Sequence, residues 1–248
     1  LNQICKNSAI QISKIDILTE EEKKMLKEFN STEEVYSKEK SVIEIFEENA
    51  KKNPEDVAVI YKNNKITYRE LNYRANNLAK SLIDNKVLPK NVVGILLTRS
   101  ENIIVSMLAV LKTGCAYMLI DPNLPNERIN YMLNDSKAIA LITEENVKYI
   151  KFKNRIFLEN VNNTQNENIN IPKSIDDPFS IIYTSGSTGK PKGVLLHNKG
   201  VINVVLSHQK ILNTDICNNF LSMSTVSFDM FMVETMVPLL SGKTVVLT

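Results

Sequence analysis

The chain has 248 residues, of which 43% are hydrophobic and 23% are charged, and its net charge is +2. This length allows one large domain or two small ones. A charge so close to neutral gives no electrostatic reason to expect a nucleic acid or a membrane surface as a partner.

Cysteines, histidines and apolar runs narrow the possible classes further. Cys5, Cys115 and Cys217 are widely separated and show no CxxC spacing, which favours buried thiols in a reducing, cytoplasmic compartment over disulfides. The two histidines are too few and too isolated for a zinc site. The longest apolar run, residues 103–111, is too short to span a bilayer, and no signal-peptide pattern precedes it.

Capping and apolar patterns predict helices and strands in alternation along the chain. Three capping boxes, in which a Ser or Thr precedes a Glu by three positions, begin helices at Thr19, Ser41 and Thr67. The predicted helices span residues 19–29, 41–52, 67–82, 100–112, 126–134, 198–212 and 229–240. The predicted strands span residues 10–17, 57–61, 66–68, 92–97, 115–120, 138–143, 179–184, 193–197, 220–225 and 243–247.

Polar segments separate these elements. Residues 30–40 are predicted to form a linker, and residues 159–178, rich in Asn and charge, an exposed loop. Gly114 and Gly242 are positioned to end two of the helices. Solidly apolar strands that alternate with helices are typical of a mainly parallel sheet covered on both faces, so the predicted fold class is α/β.

The most informative stretch is the loop at residues 183–194, which reads Tyr-Thr-Ser-Gly-Ser-Thr-Gly-Lys-Pro-Lys-Gly-Val. Glycines let backbone amides turn toward an anion, hydroxyls donate further hydrogen bonds, and lysines neutralise charge, so the loop predicts a triphosphate site. The candidate binding residues are Thr184, Ser185, Gly186, Ser187, Thr188, Gly189, Lys190, Lys192 and Gly193. The alternative is a flexible surface hairpin with solvated lysines, but a hairpin needs only one or two turn residues.

The spacing of this loop excludes the common nucleotide-binding loops. A Walker loop has four residues between its glycines and runs into a helix. Here only Ser187 and Thr188 separate Gly186 from Gly189, Pro191 follows the next lysine, and a strand comes after the loop. The Gly-x-Gly-x-x-Gly pattern of dinucleotide-binding folds is also absent. The sequence therefore predicts a strand–loop–strand hairpin over the nucleotide.

Several motifs resemble those of the adenylate-forming superfamily, which includes acyl-CoA synthetases, luciferases and the adenylation domains of nonribosomal peptide synthetases. Residues 183–194 resemble its phosphate-loop signature. Residues 66–71 and 111–122 resemble the first and second core motifs of the peptide-synthetase group, and residues 125–133 continue the pattern. Three positions of the second motif depart from the common Ala, Val and Pro: Thr113, Met118 and Leu119. The resemblance implies partial N-terminal subdomains of the adenylate-forming fold, with mainly parallel sheets covered by helices.

The resemblance also divides the chain into two parts. Residues 10–36 are similar to the linker that joins a condensation domain to an adenylation domain, so residues 1–36 are expected to be this linker. Residues 37–248 are then the N-terminal part of an adenylation domain, truncated at Thr248. The alternative for the first part is an ordinary N-terminal helix. Both ends of the chain suggest a fragment of a longer protein.

Residues 228–234 resemble the substrate-binding motif of this family. The candidate substrate-binding residues are Phe228, Asp229, Met230 and Val233. The resemblance implies that Asp229 pairs with the α-ammonium group of an amino acid, while Met230 and Val233, which point to the same side of a helix, line an apolar pocket. From the spacing alone, Asp229 could instead be a helix N-cap.

The resemblance implies a two-step reaction. An amino acid and Mg-ATP would give aminoacyl-AMP and pyrophosphate, with Thr184, Thr188 and Lys192 as catalytic residues on the phosphates. The phosphopantetheine thiol of a downstream carrier domain would then take the aminoacyl group, and a condensation domain would lie upstream. Further parts of the family's site would follow Thr248, so the fragment alone is expected to be inactive. The alternatives are an acyl- or aryl-CoA synthetase and a non-catalytic truncated module.

Overall fold

The computed structural model describes residues 2–33, 40–162, 164–165, 167–185, 190–214 and 216–248. The chain forms two compact units, Leu1–Ser37 and Lys38–Thr248. The predicted polar linker falls mainly on residues 34–39, which lie outside the described residues. None of the helices in the described part of the chain is both long and apolar enough to cross a bilayer.

The smaller unit contains α1 (Asn2–Lys6), a 3-10 turn (Ile12–Lys14) and α2 (Glu20–Phe29). The predicted capping box of α2 is confirmed, since the Thr19 hydroxyl accepts from the Glu22 amide at 3.2 Å and the Glu22 carboxylate accepts from the Thr19 amide at 2.7 Å. The predicted strand at residues 10–17 is wrong. No strand is described in this unit with which an extended segment could pair its backbone.

The larger unit contains the remaining elements. Its helices are α3 (Val42–Lys52), α4 (Tyr68–Asp84), α5 (Glu101–Lys112), α6 (Asn126–Asp135), α7 (Asn198–Ile211) and α8 (Asp229–Leu240). Its strands are β1 (Val57–Tyr61), β2 (Asn64–Thr67), β3 (Val92–Leu96), β4 (Ala116–Leu119), β5 (Ala140–Thr143), β6 (Arg155–Phe157), β7 (Pro178–Thr184), β8 (Lys192–His197), β9 (Asn219–Ser222) and β10 (Thr244–Leu247). The predicted elements of this unit are confirmed to within a few residues, and β6 is an addition too short to be recognised by periodicity.

The strands form two sheets, and both are mainly parallel. The four-stranded sheet has the order β2-β1-β10-β9, with only β1 and β2 antiparallel. The six-stranded sheet has the order β6-β5-β3-β4-β7-β8, with only β7 and β8 antiparallel. β4 and β5 are buried along their whole length, as expected of strands covered on both faces. The predicted α/β class is confirmed.

Helices α4 and α5 form much of the core beside the sheets. The apolar residues of α4 are buried, namely Leu71, Ala75, Leu78, Ala79 and Leu82. The Tyr68 hydroxyl at the start of this helix donates to the carbonyls of Leu239 and Lys243 at 3.0 and 2.8 Å. Gly114 ends α5 with φ +73°, a conformation that residues with a side chain rarely adopt. Gly242 does the same after α8 with φ +70°.

Two expectations about side-chain exposure need correction. Among the cysteines, Cys115 is buried as predicted, whereas Cys5 and Cys217 are exposed because they lie in the short helix α1 and in the segment that connects α7 to β9. The predicted exposed loop at residues 159–178 is mostly exposed, but Ile169 is buried. Beside it, Asn168 Oδ1 accepts hydrogen bonds from α4 and α5 and so ties the loop to the core.

Candidate active site

The two strands of the predicted strand–loop–strand hairpin are confirmed. β7 and β8 pair in antiparallel register, which places Thr184 opposite Lys192 and Tyr183 opposite Gly193 at the mouth of the loop. Thr184, Lys192 and Lys190 are all exposed, as is Ser185. Neither lysine takes part in an ion pair within the described ranges. The tip residues Gly186, Ser187, Thr188 and Gly189 lie outside the described residues.

Gly193 is required by a close approach of the facing strand. A Cβ at this position would lie 3.1 Å from Cζ of Tyr183 and 3.2 Å from Cγ2 of Ile181. Such distances are shorter than ordinary van der Waals contact, so a side chain here would displace the Tyr183 ring. The glycine thus leaves room for the Tyr183 ring on the facing strand.

Helix α6 holds both ends of the loop. The Tyr183 hydroxyl donates to Asp135 Oδ2 at 2.6 Å, and the Tyr131 hydroxyl donates to the Pro191 carbonyl at 3.2 Å. The two tyrosine rings also pack edge to face, with centroids 6.4 Å apart. Burial, followed by the interaction with Asp135, raises the pKa of Tyr183 above its ordinary value, so this hydroxyl stays a donor at neutral pH.

The hairpin forms one wall of a cleft of about 650 Å³. The other walls come from the end of β4, from α6, and from the segment that leads into α8. The cleft therefore lies beyond the carboxyl ends of β4 and β7, where open parallel sheets usually bind their ligands. It brings Thr184 and Ser185 of the loop together with Phe228 and Asp229 of the substrate motif.

The remaining substrate candidates occupy different positions. Met230 is 49% exposed and Val233 is half-buried, and neither belongs to the lining of this cleft among the described residues. The N-cap alternative for Asp229 is wrong, because Phe228 is the N-cap and Asp229 is the first residue of α8. Asp229 Oδ1 accepts from the Met230 amide at 2.8 Å, and its negative charge is favoured in the first turn of a helix.

Residues that the sequence patterns did not single out also face the cleft. Asp121, which follows β4, and Arg128 of α6 both line it. Arg128 is exposed and is a cation of the cleft lining, whereas Lys190 and Lys192, which are exposed on the hairpin, do not belong to that lining among the described residues. Arg128 lies one helical turn before Tyr131, so the spacing in the sequence places the two side chains on the same face of α6. That spacing does not by itself indicate a role for Arg128.

The chain matches a family of known proteins over most of its length. Residues 46–248 match the family described as AMP-binding enzyme. The chain belongs to this family. It is 38% identical over 249 residues to gramicidin S synthase 2 of Brevibacillus brevis and 35% identical over 255 residues to bacitracin synthase 1 of Bacillus licheniformis. These alignments cover 98% and 99% of the chain, but the chain spans only 6% and 5% of the length of the two synthases.

A solved structure shows the same similarity. NpsA-ThdA, an artificially fused adenylation-PCP di-domain from Klebsiella oxytoca, is 30% identical and superposes with a TM-score of 0.77. The superposition covers 86% of this chain and 44% of that one. The resemblance to part of an adenylation domain of nonribosomal peptide synthetases is therefore confirmed.

Proposed function

We propose that the protein containing this chain activates an amino acid with ATP and loads it as a thioester on a carrier domain. The observation that carries the proposal is the shared cleft, in which the phosphate-loop residues Thr184 and Ser185 and the carboxylate of Asp229 line one cavity. A triphosphate and a cationic substrate are the ligands that suit these two groups.

In the first step, a carboxylate oxygen of the amino acid attacks the α-phosphorus of ATP. A new P–O bond forms, the bond to the β-phosphate breaks, and pyrophosphate leaves. Much of the barrier is repulsion between anions, so catalysis consists of charge neutralisation and positioning. Lys192 and the hydroxyl of Thr184, with Thr188 and the loop amides, would hold the β- and γ-phosphates, and Lys190 would add a second cation.

Magnesium enters this reaction with ATP as part of the substrate. Within the described ranges, no group of three or more His, Cys, Asp and Glu side chains is arranged to hold a metal ion. The protein's own contribution is the hairpin, which is kept in place by Tyr131 and Tyr183.

Asp229 would pair with the α-ammonium group of the substrate, and Phe228 would contact its carbon skeleton. An acyl- or aryl-CoA synthetase has no ammonium group to bind, so this carboxylate favours an amino acid. Met230 and Val233 do not line the described cleft, so they would contact the substrate only from a second surface outside it.

In the second step, a phosphopantetheine thiol would displace AMP. The similarity to an adenylation-PCP di-domain supports a carrier domain as the partner.

The smaller unit would be the linker to an upstream condensation domain, as the resemblance of residues 10–36 implies. Residues 1–248 alone are expected to show little activity. Thr184, Ser185, Phe228 and Asp229 are all exposed, so water reaches the cleft and weakens each electrostatic contact there. Pyrophosphate exchange by residues 1–248 at the rate of the full-length protein would contradict this expectation.

The test is amino-acid-dependent ATP–pyrophosphate exchange by the full-length protein over a panel of amino acids. We expect one or a few amino acids to support exchange. Asp229→Asn should raise KM for that amino acid by about a hundredfold, since it leaves an ammonium group without its anion. Asp84→Asn, at the exposed end of α4, is the matched control. The proposal fails if no amino acid supports exchange.

A further inference from the structure

The segment that joins β9 to α8 is held by the carboxylate of Glu234. Glu234 Oε2 accepts from the amides of Met223 and Ser224, both at 3.0 Å, and from the Ser222 hydroxyl at 3.1 Å. Glu234 Oε1 accepts from the Ser224 hydroxyl at 2.6 Å. Because Glu234 lies on the second turn of α8, these four bonds tie the helix back to the end of the strand that precedes it.

The same segment is held from the other side by Arg99. Its guanidinium donates to the Ser224 carbonyl at 2.6 Å and to the Ser222 carbonyl at 2.7 Å. It also lies over the ring of Phe231, 5.3 Å from the centroid. Arg99 follows β3 of the six-stranded sheet, whereas Ser222 ends β9 of the four-stranded sheet, so this contact joins the two sheets.

Together the two side chains satisfy donors and acceptors of the same short stretch of backbone. Glu234 accepts hydrogen bonds from the amides and hydroxyls, and Arg99 donates to the carbonyls. Burial acts to raise the pKa of Glu234, but the hydrogen bonds from Ser224, Ser222 and Met223 outweigh it and hold that pKa below its ordinary value. Glu234 is therefore ionised at neutral pH and keeps its full capacity to accept these bonds.

We infer that Arg99 and Glu234 are positioning residues for the amino-acid half of the cleft. The segment that they hold continues directly into Phe228 and Asp229, the two cleft residues assigned to the substrate. Neither side chain belongs to the lining of the cleft among the described residues, so both act through the backbone of residues 222–224. The inference rests on the proposed function, because only that function gives Asp229 a ligand.

The physical reason is the sensitivity of a charged pair to displacement. A shift of about 1 Å at a positioning element can lower activity by about a hundredfold. The phosphate loop is held separately by α6, so loss of the Arg99–Glu234 contacts should leave ATP binding unchanged. The expected signature is a rise in KM for the amino acid with an unchanged KM for ATP.

The test uses three variants of the full-length protein. Glu234→Ala removes all four hydrogen bonds. Glu234→Gln is the conservative variant, since its amide oxygen still accepts from both backbone amides and its NH₂ group can donate to the Ser224 hydroxyl. Thr235→Val is the matched control. It removes buried hydrogen bonds from the Thr235 hydroxyl to the carbonyls of Phe231 and Met232, which lie within α8 and away from residues 222–224.

Two readouts are measured on each variant. The first is hydrogen exchange of the amides of Met223 and Ser224, which we expect to be about tenfold or more faster in Glu234→Ala. The second is the pair of KM values in pyrophosphate exchange, where the KM for the amino acid should rise by about tenfold or more in Glu234→Ala. Glu234→Gln should recover most of both effects, and Thr235→Val should show neither.

Wild-type exchange rates at Met223 and Ser224 in folded Glu234→Ala would overturn the inference, as would equal increases in both KM values. If Glu234→Ala does not fold, Arg99→Lys decides, because lysine keeps the charge but cannot contact both carbonyls in a fork. An unchanged KM for the amino acid in Arg99→Lys would also overturn the inference. If the wild-type protein activates no amino acid, the proposed function fails, and hydrogen exchange still shows whether Glu234 holds the segment.

Discussion

Replacement of Lys112 tests the cost of a charge inside the larger unit. Lys112 is fully buried, its ammonium contacts the Glu47 carboxylate, and it donates to Asn168 Oδ1 at 3.2 Å. Burial lowers the pKa of Lys112 from 10.5 to about 8, against the opposing effect of Glu47. Since one pKa unit corresponds to about 1.4 kcal/mol, the charged form costs the folded state roughly 3 kcal/mol relative to the unfolded chain.

The sign of the pH dependence follows from proton binding. Below pH 8 Lys112 is protonated in both states, and the full cost is present. Between pH 8 and 10.5 the unfolded chain binds more protons than the folded one, so the free energy of unfolding rises with pH. This contribution is absent from Lys112→Met. We expect the wild-type value minus the Lys112→Met value to increase by roughly 3 kcal/mol over this range.

The assay is urea denaturation of both proteins at several pH values across that range. Subtracting the two curves removes the titration of groups that they share. Lys80→Met is the matched control, since Lys80 is an exposed residue of α4 that pairs with Asp84, and its difference curve should stay nearly flat. A difference for Lys112→Met that stays constant or falls as the pH rises would refute the reasoning.

Three further substitutions test the hairpin and a helix cap. Gly193→Ala should lower the melting temperature, because its methyl group would meet the Tyr183 ring. Gly200→Ala on α7 has open space around its Cβ and should instead add about 1 kcal/mol of stability. Equal shifts of the melting temperature in the two variants would contradict this reasoning. Tyr183→Phe removes a hydrogen bond to α6 and should raise KM for ATP in the full-length protein by about tenfold, with the exposed Tyr149→Phe as control. Ser41→Ala removes the capping box of α3 and should lower the free energy of unfolding in urea by about 1 kcal/mol; no loss would argue against the cap.

The parts of the fold that were predictable depend on short-range patterns. The helix starts after Thr19 and Ser41 follow from capping boxes that need only four consecutive residues. The hairpin follows from turn residues between two apolar runs. The strand predicted at residues 10–17 does not form, because the alternation of apolar and polar residues gives a strand-like periodicity but does not supply a neighbouring strand to pair with. A strand exists only where another strand pairs with it.

In the candidate site, the two strands of the hairpin were predicted correctly, whereas the positions of the residues on α8 were predicted less well. Asp229 was identified together with Met230 and Val233, yet only Asp229 of the three lines the described cleft. Phe231 and Met232 face the core and fix the rotation of α8, which turns Met230 outward. No local pattern contains that rotation, because it depends on which face of the helix packs against the sheets.

The two sides of the cleft differ in the sequence separation of the residues that contact each other, so they should form at different stages of folding. Thr184 and Lys192 meet across a hairpin, so the hairpin side of the cleft can form from local contacts, which are fast and cost little loop entropy. The contact between Arg99 and Ser222 spans 123 positions, so the side of the cleft formed by Phe228 and Asp229 becomes ordered only after the two sheets assemble. A refolding chain should therefore regain the hairpin before it regains the ordered segment around Ser222–Ser224.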